Sequence, residues 1–195
     1  MPTDLQTDIM MDTPQALDQL IQRFTDLFEQ RSYPSTPYDP DWPSLCYHHE
    51  AKLGEEVPWQ PVFSQRRSDM FQRLGNALDV TIHPAIAAYY TRYWSDPLPC
   101  RMQDGRLISL LFAWNEQDME RLRANLIGHA MSKQKQKRPL TLFFATLEPD
   151  TDYMISLDNQ DGSIWLERPG RKPEQQLAQD MAAFLKTLEP VRFSS

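Results

Sequence analysis

The sequence predicts an α+β fold, a mainly antiparallel sheet packed against several helices in a single domain. Three observations predict it. Apolar residues recur at three- and four-residue spacing in separate stretches near both ends and in the middle of the chain, which is the stripe of an amphipathic helix. Between those stretches lie short apolar runs, and the pairs Asp104-Gly105 and Asp161-Gly162 within them signal hairpins. The order is helices, strands, one long helix, strands, helix, as expected for helices laid against a sheet.

Thr13-Pro14 opens the first helix, a hydroxyl cap followed by proline at the first helical position. Leu17, Leu20, Ile21, Phe24, Leu27 and Phe28 then form one apolar stripe, and the helix is expected to end near Arg31. From Tyr33 to Pro61, prolines at 34, 37, 40, 43, 58 and 61 exclude helix interiors and central strands. Trp42, Tyr47 and Trp59 make this stretch unlike a disordered linker, so it reads as an ordered wrapping segment with one edge strand. Ser68 to Leu78 is a short helix, and His83-Pro84 opens another that runs to about Trp94, with Ile86, Tyr89, Tyr90 and Tyr93 on one face.

Leu98 to Trp114 reads as strands, with Leu107 to Phe112 a central strand covered on both faces. Asn115 caps a long helix whose first turn carries Glu116 and Asp118, well placed at the positive end. Its buried stripe is Met119, Leu122, Leu126, Ile127, Ala130 and Met131; Lys133, Lys135, Lys137 and Arg138 finish it before Pro139. Strands are expected at Leu140 to Thr146, Tyr153 to Leu157 and Ser163 to Glu167. A last helix is expected from Pro173, with Leu177, Met181, Phe184, Leu185 and Leu188 inward. The domain therefore covers residues 13–190, with a flexible acidic extension at 1–12 and a tail at 191–195.

The charge is uneven. Residues 1–60 hold eleven acidic side chains against Arg23, Arg31 and Lys52, and the net charge of the chain is -7. Such a field repels phosphate backbones and speeds association with basic partners, so nucleic acid is not the expected ligand. The apolar runs fall far short of the ~20 residues a membrane helix requires. Asp4, Asp8 and Asp12 stand where a secretion signal needs basic and apolar residues. Cys46 and Cys100 are too few for a disulfide framework and read as free thiols in the cytosol.

Chemistry is hard to find. Neighbouring His48 and His49 would point to opposite faces of a strand, so a metal would need His129 or a cysteine brought close by the fold. His83 reads as a helix-start residue and His129 as a partner of the helix end. The chain has no nucleophile elbow of the G-x-S-x-G type, and its six glycines form no phosphate-cradling loop. No cofactor, metal or catalytic set is expected, and a binding protein fits better than an enzyme. The basic run at 133–138 is read first as a satisfied helix end and second as a contact for anionic lipid headgroups.

Three stretches carry a family resemblance: VPWQPVF (57–63), ALDVTIHPAIAAYYTRYW (77–94) and FAWNEQDMERLRANLIGHAMSKQKQKRPLTLFFATLE (112–148). Together they resemble Syd, the SecY-interacting protein family of bacteria, over about residues 14–190. The resemblance implies an α+β, non-enzymatic cytosolic protein that binds the cytoplasmic face of the translocase channel subunit SecY and restrains faulty or uncomplexed SecY. It also implies a peripheral place on the inner membrane. Basic cytoplasmic loops of a membrane protein are a natural match for an acidic surface. On matched positions, Glu56, Asp79, Asp118 and Glu120 are expected to pair with loop cations. His83 stands beside them, and Trp59 and Tyr90 are expected to supply flat anchors. Lys133, Lys135, Lys137 and Arg138 would aid the membrane contact. The broader grouping also contains toxin-immunity proteins, so an acidic inhibitor that masks a basic toxin is the alternative.

Overall fold

The structure, a computed structural model, describes residues 12–30, 32–64 and 68–192. Most of the expected extension (1–11) and the end of the tail (193–195) lie outside the described residues. Helix α1 spans Thr13–Glu29, and its cap is Asp12, one residue before the expected Thr13. Asp12 accepts a hydrogen bond from the Gln15 backbone N–H at 2.9 Å, and the Gln15 side chain accepts one from Asp12 N–H. This capping box makes Thr13 the first helical residue, because an aspartate satisfies the open N–H groups at least as well as a threonine. Leu17, Leu20, Ile21, Phe24 and Phe28 are buried as the stripe predicted.

The proline-dense stretch is ordered. Strands β1 (Ser35–Pro37) and β2 (Glu56–Pro58) pair antiparallel, and Tyr47 bridges to Trp59. An aromatic chain fastens the segment to the body: Tyr38 on Tyr47, then Tyr47 and Trp59 both edge-on to Trp114, with centroids 4.9, 4.9 and 5.7 Å apart. Strand β3 (Val62–Phe63) precedes α2 (Met70–Leu78) and α3 (Pro84–Arg92). The expected helix to Trp94 stops at Arg92, because Tyr93–Trp94 (β4) turns extended and pairs with β3. Arg92 donates both Nε and Nη2 to Asp18 of α1, at 2.6 and 2.5 Å, and the Tyr93 hydroxyl donates to the same carboxylate.

The main sheet is built from β5 (Leu98–Arg101), β6 (Leu107–Leu110), β7 (Thr141–Glu148), β8 (Met154–Asp158), β9 (Ile164–Glu167), β10 (Gln175–Ala178) and β11 (Glu189–Pro190). Its order is β10-β9-β8-β7-β6-β5-β11, antiparallel throughout. Helices α4 (Glu116–Lys135) and α5 (Met181–Thr187) complete an α+β fold. Three details differ from expectation. Residues 175–178 extend the sheet as an edge strand, and the last helix starts only at its Asp180 cap, which accepts from Ala183 N–H at 2.7 Å. Strand β6 alternates, with Ile108 and Leu110 buried but Leu107 36% exposed, so only one of its faces is fully covered. In α4, Met131 points outward and Lys133 takes the inward position.

Phe144 of β7 sits between Tyr89 of α3 and Phe184 of α5. On the opposite side α4 crosses β7, with His129 edge-on to Phe143. Under that crossing lies a polar cluster. Lys133, 4% exposed, pairs with the fully buried Glu167, which also accepts from the Thr141 hydroxyl at 2.5 Å. His129 Nε2 is 3.1 Å from Thr141 Oγ1, and burial holds the imidazole below its usual range. Lys133 is therefore removed from the expected membrane contact. Helical phase is the reason: 119, 122, 126, 130 and 133 are spaced by three and four and share one inward face.

Candidate functional site

Two adjoining clefts open where the wrapping segment, the β3–β4 pair and the start of α4 meet. The smaller, about 280 Å³, lies among α2, α3 and α4 and is lined by Asp69, Arg73, Tyr90, Trp94, Glu116 and Glu120 among others. The larger, about 540 Å³, is framed by Pro43, Leu45, Phe63, Trp94, Trp114 and Glu116 among others. Trp94 and Glu116 border both.

Local capping chemistry builds this place. Asn115 accepts from Asp118 N–H at 2.8 Å, closing the first turn of α4, and its side-chain amide donates to Pro43 O at 2.9 Å. The Ser44 hydroxyl donates to Trp114 O at 2.6 Å, and Trp114 N–H donates to the Asp118 carboxylate at 2.9 Å. The Arg121 guanidinium lies 4.0 Å over the Trp42 ring. The proline segment is thus clipped to the helix start, and a fixed wall results.

Among the described residues, the charged groups that line the smaller cleft are Asp69, Glu116, Glu120 and Arg73. Arg73 bridges Asp69 and Glu120, and Arg123 also donates to Glu120. The Arg73 bond, reinforced by Arg123, holds the Glu120 carboxyl below its usual range. Asp96, close to this wall, is pushed up to about 6, first by burial and then by the charge of Asp118.

The seven residues expected at the contact do not converge. Tyr90 and Glu120 line the smaller cleft, and Asp118 braces the wall of the larger one through Trp114. Trp59 and Tyr90 are core residues, 1% and 0% exposed; the Tyr90 hydroxyl donates to Phe143 O at 2.8 Å. Neither offers a flat anchor, which corrects that expectation: a Trp in a proline segment and a Tyr on an apolar helix face both fill the interior. Glu56 is exposed on β2 and accepts from the Ser35 hydroxyl. Asp79 is exposed beyond α2 in a left-handed conformation (φ 54°). His83 caps α3 through Nδ1, accepting from Ala85 N–H, and its own N–H donates to Asn159.

Leu45, Phe63, Trp94, Trp114 and Glu116 are the lining residues that sequence reasoning passed over. Phe63, Trp94, Trp114 and Glu116 fall inside the stretches that carry the resemblance, but which residues line a cleft leaves no mark in a sequence pattern. His48 and His49 are exposed. Among the described residues, no three His, Cys, Asp or Glu side chains converge as metal ligands. Also among them, no helix is long and apolar enough to cross a membrane. Cys46 and Cys100 are buried free thiols, and burial pushes that of Cys46 up to about 12.

Comparison with known proteins is consistent across most of the chain. The family model described as Syd protein (SUKH-2) matches residues 14–190. A protein named Protein Syd from Pseudoalteromonas atlantica is 39% identical over 179 residues, covering 90% of this chain and 95% of that one. Its namesake from Colwellia psychrerythraea is 36% identical over 194 residues, covering 92% and 95%. The one from Hahella chejuensis is 42% identical over 147 residues, covering 75% and 74%. A match of this breadth, on the α+β fold described above, means that the chain belongs to the Syd protein family.

Proposed function

We propose that this protein is a non-enzymatic binder of SecY that holds the basic cytoplasmic loops of the channel subunit in its acidic clefts. Membership in the Syd family points to the partner, and one observation supports the place: Asp69, Glu116 and Glu120 gather around paired clefts beside exposed Leu45 and Phe63. Cytoplasmic loops rich in lysine and arginine complement such a lining. Binding there would sequester SecY that is free of its proper partners or faulty, and so restrain it. The protein would work in the cytoplasm and peripherally on the inner membrane, brought there by SecY. Lys135 and Lys137 are exposed and support a secondary contact with anionic lipid, whereas Lys133 is occupied within the fold. Toxin masking draws on the same acidity and gains no observation of its own from the fold.

The test is co-sedimentation with inner-membrane vesicles that contain or lack SecY, at low and at physiological salt. Retention only on SecY-containing vesicles, weakening as salt shortens the screening length to about 8 Å, is the expected result. Equal retention on protein-free liposomes would remove SecY as the partner.

A further inference from the structure

The far end of α4 carries cations that the fold does not use. Between Glu120 and Glu148 the chain has no acidic residue, and 168–173 (RPGRKP) has none either, in a protein of net charge -7. The structure brings these two stretches together: Pro169 and Gly170 of the β9–β10 turn border one hollow with Ser132 and Gln136 of α4. Arg171 N–H closes the turn by donating to Arg168 O at 3.0 Å. Arg168 itself is paired with Glu174. Lys135, Lys137, Arg171 and Lys172 are exposed, and among the described residues no acid pairs with them.

Nor are the lysine side chains needed to close the helix. Lys137 N–H donates to Gln134 O and Arg138 N–H to Lys133 O, both at 3.0 Å, while Gln136 N–H reaches Ser132 O at 3.2 Å. Backbone groups thus satisfy the last carbonyls, in the motif that ordinarily places glycine at its left-handed position. Here that position is Lys137, with φ 53°, so a long cation stands where the helix end by itself favours no side chain. Met131, one turn before Lys135 on the outer side of α4, is 48% exposed and sets an apolar side chain beside the cations.

We propose that the end of α4 and the β9–β10 turn together form a surface that rests on anionic phospholipid headgroups while the clefts at the other end of α4 hold SecY. The proposal rests on the SecY-binding function above and adds what the bilayer must contain. The 20 residues of α4 separate the two ends by about 30 Å, so both can be occupied at once. Chemistry selects the occupant. Cytoplasmic loops rich in lysine and arginine repel a cluster of unpaired cations, whereas the anionic leaflet around them attracts it. Met131 then has the apolar margin beneath the headgroups to enter.

Binding of the full chain to SecY in vesicles of two compositions tests this, phosphatidylcholine alone and equal parts phosphatidylcholine and phosphatidylglycerol. At low salt, affinity is expected to be about tenfold higher in the anionic vesicles, the scale of a few cations held at an anionic surface. The net charge of -7 on its own predicts the reverse. In a Lys135→Gln, Lys137→Gln, Arg171→Gln, Lys172→Gln variant the preference should vanish, with thermal melting little changed because no ion pair is lost. Equal affinity of the unaltered chain for both compositions would overturn the lipid contact and leave SecY binding standing; this comparison needs no variant. Absence of binding in either composition would overturn the contact together with the function it rests on. An anionic preference that survives in the variant would belong to another surface and overturn the proposal. Weaker binding of a normally melting variant to SecY in phosphatidylcholine alone would assign these cations to a protein contact, and overturn it likewise.

Discussion

A buried ammonium and a buried carboxylate tolerate each other only as a pair, and Lys133 with Glu167 is such a pair here. Lys133→Met should cost roughly 3–5 kcal/mol in urea unfolding, because the buried Glu167 would lose its ammonium partner. Adding Glu167→Leu should restore much of that loss; if the double variant is as unstable as the single one, the pair is not what limits stability. Asp96 makes the opposite case. Its carboxyl is raised to about 6, so the folded protein holds that proton more tightly than the unfolded chain does. The sign follows directly: this group favours folding below its unfolded value near 4, and that contribution is lost as pH rises through about 6. Asp96→Asn should therefore raise stability at pH 7–8 by on the order of 2 kcal/mol and change it little at pH 4. Denaturant titrations at the two pH values check the difference.

At the scale of elements, the turn between β8 and β9 is keyed to the start of α3. Asn159 accepts from His83 N–H at 2.8 Å and donates to Thr81 O at 2.9 Å, locking the 79–83 loop to the hairpin. Gly162 has φ +79°, and a Cβ there would stand 2.7 Å from the His83 ring. Gly162→Ala is thus expected to destabilise by roughly 1–3 kcal/mol, part from backbone strain and part from the clash. Combining it with His83→Ala should relieve only the clash, which a double-mutant cycle of thermal or urea unfolding would read as coupling. Additive effects would mean that the ring simply moves aside. His83 accordingly serves the fold first, since its Nδ1 and its backbone N–H are both engaged.

At the scale of the molecule, the net charge of -7 and the local clefts make separable contributions. Glu116→Lys with Glu120→Lys alters the clefts; Glu56→Lys with Asp79→Lys changes the charge by the same amount elsewhere. If the clefts receive the loops, stopped-flow association with SecY vesicles should slow by about tenfold or more at low salt for the first pair and clearly less for the second. Equal slowing would assign steering to the overall field alone. The sheet-and-helix layout was legible because periodicity and hairpin signals are local. Residues 175–178 were not, since an edge strand just before a capped helix carries the same apolar spacing as that helix. The clefts were less legible still: Glu120 and Tyr90 were expected at the contact, but Leu45, Phe63 and Glu116 acquire their meaning only when the wrapping segment is clipped to α4.

Sequence alone determined the fold class, most element positions, the acidity of the first third and the resemblance to Syd, all of which depend on residue type and short spacing. Only the tertiary structure decided which side chains of those elements can meet a partner. Burial is a property of the assembled layers: it took Trp59, Tyr90 and Lys133 inward and left Leu45 and Phe63 in the open. Helical phase made Lys133 a core residue, and a proline segment folded across the start of α4 turned scattered acids and two exposed apolar side chains into one place.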